Sequence, residues 1–322
     1  MPAPSLTARV HQLRHEADGV LGIELRPAGA TALFPAVQAG AHVDLHLPNG
    51  LLRSYSLCNP PGETHRYCLG VLKEKQGRGG SRFIHEQLRI GDEIGLSMPR
   101  NLFALDERAQ TSVLLAGGIG ITPILCMLQR LHALGRPVHL IYCARSRRQA
   151  AYLDELKTLT HSGATLQLHF DDEQGAAPDL RALLAPFQGE HSHFYACGPA
   201  PMLTAFEAAC ASLGQQHVHL ERFAAAEPLA PAIAGAFVVA LKKSGVEVQV
   251  PADSSVLTAL LDAGCDAVYS CGEGYCGACE VPVIEGEVEH RDSLLSEAER
   301  GSNKVMMICV SRAKGARLVL DL

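Results

Sequence analysis

Three cysteines fall within the stretch SCGEGYCGAC, residues 270–279, with glycine and alanine between most of them. Cys271, Cys276 and Cys279 are spaced C-x4-C-x2-C, and Cys309 follows in MICVSR. Thiols this close could form a disulfide hairpin, clip a zinc ion, run dithiol redox chemistry or hold an iron–sulfur cluster. A structural zinc site favours two C-x2-C pairs, and only Cys276/Cys279 make one. A thioredoxin-like C-x-x-C belongs between a strand and a helix of a βαβ unit, which this loop does not occupy. Disulfides are disfavoured in a reducing compartment. The spacing is that of plant-type [2Fe–2S] ferredoxins. Four thiolates must surround a compact anionic cluster, and Gly272, Gly274, Gly277 and Ala278 let the loop wrap until backbone N–H groups reach the sulfurs. The fourth thiolate is expected from a distant strand. Cys265 and His290, nearby, read as packed or solvated residues and not as ligands.

A second set of residues suits phosphate and dinucleotide binding. In LLAGGIGITPIL, Gly118 and Gly120 allow backbone to approach a pyrophosphate, and Ile121, Thr122 and Pro123 open a helix whose first N–H groups are free. A purely structural glycine turn is the alternative at this point. YACGPAPM supplies another strand end, Cys197-Gly198-Pro199, and CARSRRQ places Arg145 and Ser146 at the end of the strand between. Ligands of open α/β sheets bind outside the carboxyl ends of the strands. Arg147 and Arg148 read as solvated charge, with a 2′-phosphate role as the alternative.

The third set is RSYSLCN and QGRGGSRFIHEQL. Arg53 can grip a phosphate through charge-assisted hydrogen bonds, and Tyr55 offers a flat ring to a planar cofactor. Ser54 and Ser56 flank it. Gly79, Gly80 and Ser81 free backbone N–H groups just before a helix. By itself, R-x-Y-S fits ordinary barrel structure equally well.

The elements that must position these residues show in the patterning. Short apolar runs between Pro, Gly and Asn turns, such as AHVDLHL and EIGLSMP, predict a small antiparallel barrel over the first hundred or so residues, with one helix at SRFIHEQL. After Asp106 the pattern alternates strand and helix, from SVLLAGG and PILCMLQRLHALG through VHLIYCA, AAYLDELKTL, ATLQLHF, DLRALLAPF, HFYACG and PMLTAFEAACASLG to HVHLERF. That grammar means βαβ units on a parallel sheet. AAAEPLAPAIAGA reads as an extended linker, and FVVALKKSG with VEVQVP then forms a hairpin near Ser244–Gly245. The helix SSVLTALLDAG is capped by Ser254 or Ser255. The expected domains are 1–106, 107–224 and 237–322, with residues 225–236 as linker.

The 322 residues have an ordinary globular composition, with 47% hydrophobic and 19% charged residues. A net charge of −6 argues against a general nucleic-acid binder. The acidic excess is local: residues 237–322 carry 8 Lys and Arg against 13 Asp and Glu, and the rest carry 20 against 21. This suits either solubility or docking to a basic partner. No apolar run reaches membrane-spanning length, and the N-terminus lacks a secretory pattern, so a cytoplasmic protein without membrane association is expected. The other seven cysteines, Cys58, Cys68, Cys126, Cys143, Cys197, Cys210 and Cys265, stand singly, mostly in apolar runs, and read as small buried hydrophobes.

Taken in order, RSYSLCN, GRGGS, AGGIGITP, CGP, SCGEGYCGAC and MICVSRAKGARLVLDL resemble the phthalate dioxygenase reductase family, which includes the reductase subunits of vanillate O-demethylase. The resemblance covers essentially the full length, including the order flavin, nicotinamide, ferredoxin. It implies an antiparallel β-barrel flavin domain, an α/β parallel-sheet NAD domain and a β-grasp plant-type ferredoxin domain. It also implies that Arg53, Ser54, Tyr55 and Ser56 bind the flavin and that Gly79, Gly80 and Ser81 hold the FMN phosphate. Gly118, Gly120, Ile121, Thr122 and Pro123 would cradle the nicotinamide nucleotide, and Arg145 and Ser146 would meet its adenosine end. Cys197, with Gly198 and Pro199, would lie near the nicotinamide ring, and Phe223 near the flavin; Cys197, Thr122 and Phe223 would position the rings. Ser54 stands where the family often has Thr, and VLKEKQ before GRGGS departs from its usual pattern. FMN is expected over FAD, and NADH over NADPH.

The activity implied is hydride transfer from NADH to FMN, then single-electron transfer through a [2Fe–2S] cluster to a terminal oxygenase with a Rieske centre, the reductase being a monomer. The alternatives are a reductase for a ferredoxin or cytochrome, and a non-enzymatic redox sensor.

Overall fold

The computed structural model describes residues 4–29, 31–75, 77–159, 164–187, 189, 191–224 and 235–322. They form two compact units, one spanning Pro4–Phe223 and one holding the described residues from Ala224 to Leu322. Most of the segment read as a linker, residues 225–234, lies outside the described residues.

The first unit begins with β1 (Leu6–Ala17), β2 (Val20–Pro27), β3 (Ala41–His46), β4 (Leu52–Ser56) and β5 (Tyr67–Leu72), then α1 (Gly80–Gln87), β6 (Glu93–Leu96) and the short β7 (Arg100–Asn101). The strands run in the order β4-β3-β6-β1-β2-β5, with β7 added to β3. Leu57, just past β4, bridges Leu69 in β5 and brings the sheet ends together. Alternation of buried and exposed residues along β1 points Ala8 and Val10 into a core with Ile23, Val43, Leu45, Leu69 and Ile94. The expected barrel and its helix are both present.

The second half of the same unit carries β8 (Thr111–Gly117), α2 (Ile121–Ala133), β9 (Val138–Ala144), α3 (Leu153–Leu159), β10 (Ala164–Phe170), α4 (Asp171–Gln174), α5 (Leu180–Leu184), β11 (Ser192–Gly198), α6 (Ala200–Ser212) and β12 (Val218–Arg222). Its sheet is parallel, in the order β10-β9-β8-β11-β12. β8 is almost wholly buried, as a central parallel strand covered on both faces must be. The helix expected over AAYLDELKTL starts only at Leu153, because Tyr152 adopts φ 62 and turns its ring inward. Tyr152, Leu125, Leu128 and Tyr195 share one core with Val20, Ala39, Cys58 and Phe103 of the barrel side, so barrel and α/β sheet pack as one body.

The second unit comprises β13 (Phe237–Leu241), β14 (Glu247–Val250), α7 (Val256–Asp262), β15 (Glu280–Glu285), β16 (Val288–Glu289), α8 (Glu297–Ser302), β17 (Val305–Met307), β18 (Arg312–Ala313) and β19 (Arg317–Leu320). The five-stranded mixed sheet runs β14-β13-β19-β15-β17, with β13 and β19 parallel, and β16 pairs with β18. Ser255 caps α7, its hydroxyl accepting from the Thr258 N–H at 3.0 Å. A mixed sheet grasping one amphipathic helix is the expected β-grasp arrangement, with Val256, Leu257 and Leu260 of α7 in the core. Cys309 departs from expectation in detail: it sits in the turn two residues past β17, not on a strand.

Candidate cofactor sites

In the second unit, the loop between α7 and β15 carries Cys271, Cys276 and Cys279, and the turn after β17 carries Cys309. All four are buried and free of disulfides. Glycines at 272, 274 and 277 all adopt positive φ, which lets the loop fold back over its own cysteines. The Glu273 N–H points at Cys271 Sγ from 3.3 Å, and the Cys271 N–H at Cys276 Sγ from 3.4 Å. Cys279 and Cys309 lie with their sulfurs 3.1 Å apart. Hydrogen bonds from Cys276 and Cys309 push the Cys271 thiol well down, and the same bond to Cys271 pushes Cys276 up. Thiols that compete for each other's protons, with backbone N–H groups aimed at the sulfurs, suit a site for deprotonated ligands. Among the described residues no three such donors converge on one ion. The four sulfurs form one connected set, Cys271 meeting Cys276 and Cys309, and Cys309 meeting Cys279, which fits four thiolates that would hold a [2Fe–2S] cluster.

In the first unit, β4 delivers the R-x-Y-S stretch. Arg53 lies across the loop before α1, Nη1 donating to the Leu52 carbonyl at 2.7 Å and Nη2 to the Arg78 carbonyl at 3.2 Å. Gly79 takes φ 88 as the residue before α1, and Ser81 Oγ accepts from the Glu74 N–H at 3.0 Å. Tyr55 is held beside Arg53, and burial pushes its hydroxyl's pKa up. The two serines do different things. Ser54 Oγ donates to Asp44 Oδ1 at 2.5 Å, and Arg100 holds the other oxygen of Asp44 at 2.8 Å, so this hydroxyl is committed to a barrel ion pair. Ser56 Oγ donates to Glu221 Oε2 at 3.2 Å.

The α/β sheet reverses its strand order between β8 and β11, the place where ligands bind in such sheets. Gly118 takes φ 53, and its carbonyl accepts from the buried Tyr142 hydroxyl at 3.2 Å. At Gly120 a Cβ would stand 2.2 Å from the Cys197 carbonyl oxygen, so only glycine lets the loop meet β11. Ile121 is fully buried core, and Thr122 donates its hydroxyl to the Ile119 carbonyl at 3.1 Å. Pro123 is in the first turn of α2 and Pro199 caps α6. Cys197 is fully buried, and burial, then Glu221, push its thiol well up, which keeps it neutral. Arg145 is exposed and Ser146 partly so at the end of β9. Phe223 is partly buried against the core shared with the barrel. Arg147 is paired with Glu173 at 3.0 Å and lies over the Phe170 ring, while Arg148 pairs with Asp18 at 3.0 Å.

Glu221 joins these parts and was missed by the sequence reading. It stands on β12 opposite Cys197 of β11, and its carboxylate holds Ser56 of the barrel. Burial pushes its pKa up to about 8, with the Ser56 hydrogen bond opposing. An acid inside HVHLERF, two residues before Phe223, was the available signal; that its side chain faces inward was not.

Residues 239–314 match the family model of the 2Fe-2S iron-sulfur cluster binding domain, and residues 114–208 that of the oxidoreductase NAD-binding domain. The chain is 49% identical over 317 residues to the phenoxybenzoate dioxygenase subunit beta of Ectopseudomonas oleovorans, covering 98% of this chain and 97% of that one. It is 43% identical over 318 residues to a vanillate O-demethylase oxidoreductase of a Pseudomonas strain, covering 97% and 98%. Among solved structures it is similar to phthalate dioxygenase reductase, described as a modular structure for electron transfer from pyridine nucleotides to [2Fe–2S]. That likeness has a TM-score of 0.71 and 35% identity over 98% of both chains.

Proposed function

This chain belongs to the phthalate dioxygenase reductase family, and from that premise we propose that it is the NADH-dependent reductase component of an oxygenase system whose terminal component carries a Rieske centre. When bound, the flavin supplies conversion between a two-electron hydride donor and one-electron transfer, and the cluster supplies the one-electron exit. The observation that carries this reading is the Ser56–Glu221 hydrogen bond beside Cys197. It joins the flavin stretch of the barrel to the switch point of the sheet, so two planar rings held by these elements would meet at one place.

The protein's part is positioning. Arg53 and the Gly79-Gly80-Ser81 turn offer a cation and backbone donors to a phosphate, which supports FMN. The backbone from Gly118 to Pro123 offers the same to a pyrophosphate. Cys197 is neutral and buried, which suits packing against a ring and not nucleophilic attack. NADH over NADPH is supported by charge: of the three arginines after β9, Arg147 and Arg148 are already paired, and Asp171, Asp172 and Glu173 follow β10 beside Arg147. A 2′-phosphate would meet carboxylates there.

Anaerobic titration of the holoprotein with NADH tests the proposal. Bleaching of both flavin and cluster bands, followed by turnover of a partner oxygenase, is the expected result. An inert spectrum overturns it, and turnover only with a ferredoxin or cytochrome acceptor overturns the oxygenase partner.

A further inference from the structure

Behind the cysteine loop lies a group of buried and half-buried polar side chains that cluster binding does not use. The Asp292 side chain is fully buried and that of His290 is 7% exposed, with His290 Nδ1 3.7 Å from Asp292 Oδ2. Asp292 Oδ1 accepts from the backbone N–H groups of Leu294 and Leu295 at 3.1 and 2.7 Å. The Arg300 guanidinium, on a side chain 38% exposed, lies 3.9 Å from the same oxygen and donates to the Asp292 carbonyl. Asp292 Oδ2, both ring nitrogens of His290, Ser293 Oγ and Arg300 Nε nevertheless lack a hydrogen-bond partner.

This group touches the loop. The Ser293 N–H donates to the Gly274 carbonyl at 3.1 Å. A Cβ on Gly274 would stand 3.1 Å from Asp292 Cα and 2.6 Å from Val310 Cγ2. Gly274 lies between Cys271 and Cys276, and Val310 follows Cys309. The loop, Asp292 and the turn of the fourth cysteine therefore meet at one point. Arg291 ties the same stretch to Ser311, its N–H donating to Ser311 Oγ at 3.2 Å.

An ion pair with one partner fully buried is a poor way to stabilise a fold, and apolar residues of similar volume commonly do better than buried charge. Orphaned buried polar atoms call for an explanation of their own. Charges at low dielectric act strongly on other charges. The group this loop is built to hold is anionic and becomes more so on gaining an electron; charge near such a cluster sets its potential.

We propose that Asp292 and Arg300 form a charge bracket that sets the reduction potential of the cluster, Arg300 raising it and Asp292 lowering it. The proposal rests on the reading of Cys271, Cys276, Cys279 and Cys309 as the ligands. Both residues act by position and field; neither touches the reacting atoms. The test is a potentiometric titration of the full-length holoprotein, followed by the electron paramagnetic resonance signal of the reduced cluster.

Arg300→Gln is expected to make cluster reduction about three- to tenfold less favourable, a shift of roughly 30–60 mV to more negative potential at ~59 mV per tenfold for one electron. Asp292→Asn, which keeps an oxygen for the Leu294 and Leu295 N–H groups, is expected to shift it by a similar amount the other way. Arg300→Lys, which keeps the charge, should stay within about a factor of two of wild type. A merely structural role would loosen the loop and wet the cluster, moving both charge-changing variants in one direction. That result, or unchanged potentials with the signal intact, overturns the proposal. Absence of the signal in the wild type would overturn the cysteine assignment and the proposal with it.

Discussion

The cysteine loop and the Ser56–Glu221–Cys197 junction solve the same problem, holding a redox group, by opposite means. Three of the four thiols fall within one short loop, and backbone N–H groups from that same loop point at the sulfurs. The junction joins residues 165 positions apart in the chain, and one side-chain hydrogen bond links its two halves. A loop site is specified by local spacing and glycine conformation. A junction site exists only once a barrel and a parallel sheet have packed on a shared core. The first should therefore be broken by losing a ligand and be indifferent to sheet packing; the second should respond to the packing and to the charge enclosed in it.

Removing a ligand tests the local half and has the largest expected effect. Cys309→Ser should abolish the cluster's absorbance and cut electron delivery to a one-electron acceptor protein by more than the ~10–100-fold typical of outer-shell changes at metal sites. Flavin bleaching by NADH should persist. Loss of both bands together would contradict the separation of the two sites.

Gly120→Ala probes the assembled half. The added methyl meets backbone, not a flexible side chain. Strain should destabilise the first unit by ~1–3 kcal/mol, and the KM for NADH should rise while the cluster signal is retained. Thermal unfolding and steady-state kinetics on one preparation check both expectations.

Glu221 gives the junction a pH signature. Its folded pKa is raised from the ordinary 4.5 to about 8. Below pH 4.5 the acid is protonated in both the folded and unfolded states. As pH rises towards 8, ionisation favours the unfolded chain, so flavin-free wild type loses stability across that window. Glu221→Gln cannot titrate and should gain on wild type through the same window, levelling above pH 8 at ~1–3 kcal/mol after allowance for its partial exposure. Denaturant midpoints at pH 5 and pH 8.5 measure this, and an equal difference at both would refute the assignment.

The smallest expected effect concerns nucleotide choice. Glu173→Gln releases Arg147 from an exposed ion pair worth about 1 kcal/mol or less. It should raise kcat/KM for NADPH relative to NADH by no more than about fivefold. A decrease would mean that Arg147 faces away from the adenosine end.

Much of this was legible beforehand, for identifiable reasons. Strand–helix alternation gave β8 to β12 nearly residue by residue, since these strands are short runs set apart by helical periodicity, and β8 and β11 also end in glycine. The exceptions are positions where a side chain's tertiary partner overrode local pattern. Tyr152 looked helical and adopts positive φ, its hydroxyl set 3.7 Å from Cys58 Sγ. Ser54 and Ser56 looked equivalent in RSYS and are not, because one hydroxyl meets Asp44 within the barrel and the other meets Glu221 across the junction. The Ile121 side chain is core and the Thr122 hydroxyl bonds its own turn, so what these two residues offer a nucleotide is their backbone.

By itself the sequence determined which chemistry the chain can carry: the C-x4-C-x2-C spacing with its glycines, the glycine loop at the head of α2, and the order of the elements that present them. These are local, because a loop's reach and a helix's free N–H groups depend on neighbours along the chain. Tertiary structure alone decided that an unremarked acid, Glu221, would connect barrel to sheet, and that Asp292 would lie buried behind the cysteine loop with the half-exposed Arg300 beside it. Burial and charge contact depend on which distant surfaces pack together, and no spacing within a segment records that.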